Sequence, residues 1–136
     1  MRIKNFIGLM LILFAVLLTG CGKSDGRIAI RGNITLDNIP LADGTITFFP
    51  TGGGSGVSSG GSIQQGYYTS DLMPGKYVVQ ITANRKTGKM LPSSPGDPPL
   101  EEFEQYIPTK YNKKSELTID VENKSKQTFD FALESK

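Results

Sequence analysis

The chain has 136 residues, 38% apolar and 21% charged, with 16 glycines and 8 prolines, which suits one turn-rich domain with an ordinary core and not two. Its formal charge of +2 includes Arg2 and Lys4, and without them 13 basic residues face 13 acidic ones; a neutral domain lacks the basic footprint of nucleic-acid binding. With no His and one Cys, zinc sites, Ser-His-Asp triads and intrachain disulfides have no material.

Arg2 and Lys4 precede an apolar run over residues 6–18 that ends in Leu18-Thr19-Gly20-Cys21. Charged start, short apolar core and small residues before a break are the three parts of a secretory signal. The run is shorter than the roughly 17 to 20 residues a helix needs to cross a bilayer. The last four residues resemble the bacterial lipobox, in which the cysteine takes a diacylglycerol before cleavage. Cys21 is therefore the expected lipidation site, anchored to the membrane through acyl chains; two or three chains hold where one binds only marginally. Residues 1–20 are read as a lipoprotein signal peptide, with a signal helix, and 21–26 as a short polar tether. Gly22, in place of Asp, is compatible with passage to the outer membrane, on its periplasmic or surface face.

Residues 27–134 are read as one β-domain. Ile28, Ile30, Ile34 and Leu36 alternate with polar or small residues, the period of a strand with one buried face, and Gly32-Asn33 suggests a bulge. A long turn over residues 37–44 returns the chain as a strand ending at Pro50. Residues 51–62, rich in Gly and Ser, read as a flexible loop; they lack the Gly-Lys-Ser/Thr of a P-loop and the helix that follows a dinucleotide-binding turn. Residues 66–83 read as the central hairpin, with Pro74-Gly75 as its turn and Tyr77, Val79 and Ile81 on one apolar face.

Residues 84–105 show no strand pattern. Four prolines and Glu101, Glu102 and Glu104 suggest a polar excursion with one helical turn at 100–105. Tyr106 and Tyr111 flank Ile107 and Pro108 where this excursion rejoins the domain, a possible ligand-binding pair because aromatic rings beside polar groups stack on sugars. Leu117, Ile119 and Val121, then Phe129, Phe131 and Leu133, alternate as the closing strands.

Residues 32–48, together with Gly66-Tyr67-Tyr68, Leu72-Met73-Pro74-Gly75-Lys76-Tyr77 and the later Ile107-Pro108-Thr109-Lys110-Tyr111-Asn112, resemble carboxypeptidase regulatory-like, transthyretin-like domains. More narrowly, the chain is similar to small planctomycete lipoproteins of that type. The resemblance implies an all-β, seven-stranded Greek-key β-sandwich of the transthyretin (prealbumin) kind and no defined activity. The hydroxyisourate hydrolases of that fold use catalytic histidines, which this chain lacks. Collagen-adhesin stalk domains crosslink a first-strand Lys to a last-strand Asn, and neither is present here.

No catalytic, cofactor-binding or metal-binding residues are expected. Asp37, Asp43 and Asp71 read as turn caps, since they lack the alternating spacing of a calcium loop. The expectation is a non-enzymatic lipoprotein of the cell envelope, a binding or structural module with an envelope protein or polysaccharide as partner. The alternative is a carbohydrate-binding or substrate-capturing accessory.

Overall fold

The computed structural model describes residues 25–52 and 57–136. The expected signal segment, Cys21 and most of the tether lie outside the described residues, as do four residues of the Gly/Ser-rich stretch. The rest is all-β: β1 (Ile28–Leu36), β2 (Ile39–Pro40), β3 (Asp43–Pro50), β4 (Ser59–Gln64), β5 (Tyr67–Leu72), β6 (Gly75–Thr82), β7 (Asn84–Leu91), β8 (Leu100–Gln105), β9 (Thr118–Val121), β10 (Lys126–Thr128) and β11 (Phe131–Leu133), with a 3-10 turn at Thr109–Tyr111. Among the described residues no helix is long and apolar enough to cross a membrane.

Nine strands form one curled sheet along the path β10-β1-β5-β4-β3-β6-β9, with β2 and β11 also paired to β1. The pairings are antiparallel except those of β1 with β10 and β11. Period-two alternation does what it predicts. Ile28, Ile30 and Ile34 of β1, Tyr77, Val79 and Ile81 of β6, Ile119 and Val121 of β9, and Phe131 and Leu133 of β11 turn inward onto Phe48, Ile63 and Tyr68 in one core. Full burial of such a side chain stabilises by about 1.5–3 kcal/mol, so the curl is held by side chains meeting across it.

Strand partners differ from the sequence reading. β5 and β6 do not form a hairpin: β5 pairs with β1, while β6 lies between β3 and β9. Both strands have an apolar face, and curling brings those faces together across the core instead of side by side. Likewise β1 and β3 are not partners. Asp37 and Asn38, at φ 51° and 66°, close a two-residue turn into β2, and β3 moves away to pair with β4 and β6.

Part of the Gly/Ser-rich stretch is a strand, not a loop, because β4 begins at Ser59. A Cβ on Gly61 would stand 2.5 Å from the Thr69 carbonyl oxygen, and one on Gly60 would stand 2.8 Å from that of Ile46. Missing side chains are what let β4 lie this close to its neighbours. Residues 84–105 also hold two strands, and residues 100–105 are β8 and not the expected helical turn: β7 and β8 form a separate antiparallel ribbon, with Asn84 opposite Gln105 at its base and Leu91 opposite Leu100 near its tip.

The expected bulge in β1 is absent; the irregularity lies in its partner. β10 and β11 pair with β1 in one continuous register, broken only at Phe129 and Asp130. There the Phe129 carbonyl leaves the ladder and accepts a hydrogen bond from the Tyr68 hydroxyl at 2.7 Å. The Asn33 amide, deprived of that carbonyl, donates to Asp130 Oδ1 at 2.7 Å. The displaced carbonyl sits over Gly32, where a Cβ would be 1.8 Å from its oxygen.

Strand directions give the domain two poles. At one, Gly26 lies beside Met73, Ile28 faces Leu72, and β6 begins. At the other, β6 ends, the ribbon leaves, and the Tyr106 amide bonds the Ala83 carbonyl at 3.1 Å.

Candidate functional site

Tyr106 and Tyr111 both lie at the ribbon pole, half-buried against the core. The chain between them is tightly fastened. Gln105 brackets Ile107, donating from Nε2 to its carbonyl at 3.0 Å and accepting from its amide. Asn112, only 4% exposed, donates from Nδ2 to the carbonyls of Ile107 and Pro108 at 2.9 and 3.1 Å. A buried amide satisfied in this way fixes the 3-10 turn. Asn112 entered the sequence reading only as the end of the stretch 107–112 that carries the resemblance, and periodicity gave it no structural role, because a polar residue after a tyrosine has no periodic signature.

Each tyrosine ring carries a cation. The Arg85 guanidinium carbon stands 5.4 Å from the Tyr106 centroid, and Lys110 Nζ stands 5.0 Å from that of Tyr111. The Tyr111 hydroxyl accepts from the Glu134 amide at 3.1 Å. Among the described residues no ring-to-ring contact joins the two tyrosines. The structure therefore brings the pair to one pole but not into one platform, and a sugar stacking there would compete with the cation on each ring.

The ribbon carboxylates that the sequence places in an acidic run are each engaged across the ribbon. Glu104 meets Arg85 Nε at 2.6 Å, Glu101 meets Lys86 Nζ at 2.7 Å, and Glu102 Oε2 accepts from the Thr87 hydroxyl at 2.6 Å. The ribbon also exposes Met90, Leu91, Leu100 and Phe103.

Two titrating groups are displaced by the fold. The Tyr68 hydroxyl is held well above the ordinary phenol range by burial and, secondarily, by the nearby Asp130 charge, consistent with its role as a donor to the Phe129 carbonyl. Asp37 is drawn below its ordinary 3.8 by hydrogen bonds from the Ser135 hydroxyl and amide, with smaller help from Lys136 and Lys110. The first arrangement ties the Phe129 segment to β5, and the second ties Ser135 to the turn after β1. Among the described residues no group of three or more Cys, Asp or Glu is placed to hold a metal ion.

A different surface offers an open groove of about 570 Å³ on the outer face of β10-β1-β5. Register places Lys126, Ala29 and Asp71 in one row across the three strands, and Thr128, Arg31 and Thr69 in the next. Tyr67, two residues along β5 from Thr69, stands at the end of the groove with its side chain exposed. Arg27 borders the other end, paired with Asp25 at 2.9 Å. Sequence reasoning read Asp71 as a turn cap, whereas the structure sets it within β5 opposite Ala29; it gave the other groove residues no role because alternation marks them only as the solvent face of good strands.

No family model and no curated protein matches the chain. Among solved structures it is similar to the crystal structure of a 9R-lipoxygenase from Cyanothece PCC8801, at 15% identity and a TM-score of 0.41, over 80% of this chain and 16% of that one. The chain thus spans under a fifth of the lipoxygenase. A TM-score this low transfers neither fold nor activity, and the functional reading rests on the chain's own residues.

Proposed function

We propose that this protein is a lipid-anchored module of the cell envelope, most plainly on the outer membrane, whose β-domain binds or braces a partner and catalyses no reaction. The observation that carries the reading is the two-pole arrangement. The tether enters beside Met73 at one pole, and the ribbon and the Tyr106 to Tyr111 segment stand at the other. A domain held at Cys21 would present that second pole away from the bilayer. The lipobox-like residues 18–21 and the signal pattern before them supply the anchor.

The finer fold in this reading is the transthyretin-like Greek-key sandwich. Its support is the seven-strand path from β10 to β9, curled so that the inward residues of β1, β5 and β11 meet those of β3, β6 and β9 in one shared core.

The test is direct. Cys21→Ser is expected to move the protein from the membrane fraction to the soluble fraction and to abolish metabolic acyl labelling. Unchanged fractionation and labelling would refute the anchor. In-cell crosslinking from the ribbon, with partners identified by mass spectrometry, is expected to yield a reproducible envelope neighbour. Turnover of any substrate by the purified chain would sink the non-catalytic reading.

A further inference from the structure

We infer that the outer face of β10-β1-β5 is a binding site for an acidic polysaccharide carrying carboxylated sugars. The inference rests on the binding-module reading above and gives it a ligand class and a site away from Tyr106 and Tyr111.

The sheet geometry limits what can bind here. β1 is paired on both edges, to β5 and to β10, so its backbone has no free ladder for an added peptide strand. Recognition on this face falls to side chains. Lys126 and Asp71 lie two strand spacings apart, roughly 10 Å, with only Ala29 between them. That small residue leaves a floor on which a ring can settle.

Charge then selects the occupant. Arg31 and Lys126 have no ion-pair partner among the described residues, whereas Arg27 is already engaged by Asp25. Two available cations beside one carboxylate suit a ligand with isolated negative charges among many hydroxyls. A dense polyphosphate would be repelled by Asp71, and a neutral glycan would leave Arg31 and Lys126 without a role. In the inferred mode Arg31 receives a sugar carboxylate through its planar fork. Lys126 adds a second charge, Asp71 and Thr69 take sugar hydroxyls, and the exposed Tyr67 ring provides a stacking face.

The experiment uses the full lipidated chain in detergent micelles and two probes, polygalacturonate and neutral dextran, in affinity electrophoresis. Retardation by polygalacturonate but not dextran is expected, weakened about tenfold in Arg31→Gln, a loss typical of one charge-assisted contact, and in Tyr67→Ala. Lys113→Gln, an exposed cation outside the groove, is expected to bind as the parent does. Both groove substitutions are on the solvent face, and a thermal melt matching the parent's confirms their folding. Equal retardation by dextran, binding insensitive to Arg31→Gln, or loss on Lys113→Gln would each overturn the site. Equal capture of poly-glutamate would show a charge sink and overturn the sugar assignment. Failure here with Cys21→Ser still releasing the protein would leave the anchored module standing without this ligand.

Discussion

The seam where the last strand meets β1 and the ribbon of β7 and β8 are both β-pairings, yet they are held by opposite means. At the seam, β11 buries Phe131 and Leu133, Tyr68 bonds the Phe129 carbonyl, and the fit over Gly32 tolerates no added atom. In the ribbon none of the core residues is present; it stands on cross-strand ion pairs and a ladder open to solvent. Burial makes the first region intolerant of change, and its absence makes the second one replaceable.

The largest effect that would test this contrast is at Gly32. Gly32→Ala is expected to cost about 3 kcal/mol or more, read as a fall in Tm of more than about 10 °C. A melt like the parent's would mean that the seam is looser than its contacts indicate. Tyr68→Phe comes next, at about 1–2 kcal/mol, because a buried carbonyl loses its donor.

Replacing residues 85–104 with a short turn between the paired Asn84 and Gln105 should move the Tm by no more than about 5 °C. Loss of cooperative unfolding on that excision would make the ribbon part of the core unit and erase the distinction. Smaller still, Arg85→Ala removes one exposed ion pair and one cation over Tyr106, together about 1 kcal/mol or less.

The smallest effect concerns Asp37. Its folded pKa lies below its ordinary 3.8, so its contribution is present above that value and is lost as pH falls through the lower folded one. The Ser135 amide shift should therefore titrate with a midpoint below 3.8, and Asp37→Asn should abolish that titration. A midpoint at or above the ordinary value would detach the end of the chain from the turn after β1.

The same contrast explains what could be read in advance. Alternation at Ile28, Ile30 and Ile34, at Tyr77, Val79 and Ile81, and at Phe131 and Leu133 is a record of burial, and those residues are in the core. The ribbon has no buried face, so Asn84 to Leu91 and Leu100 to Gln105 show no period and read as a loop. β4 was hidden for a related reason: Gly60 and Gly61 serve it by having nothing to alternate. Neighbour relations were illegible too, since Met73-Pro74-Gly75 makes a turn whether or not the strands beside it pair. For the candidate site, aromatic spacing found Tyr106 and Tyr111 but could not show that Arg85 and Lys110 cover their rings. The groove along Arg31 and Tyr67 depends on register across three strands, which no single segment carries.

The two-pole arrangement has an electrical consequence. β6 spans eight residues, about 25 Å at the rise of a strand, and that is roughly three screening lengths in physiological salt. With the proposed acyl anchor at Cys21, the surface potential of anionic headgroups would act on Arg27 but would have decayed before it reached Arg85, Lys86 and Glu101. Encounters at the ribbon would then follow the ribbon's own charges, indifferent to the lipid composition below, while those near the tether would shift with it.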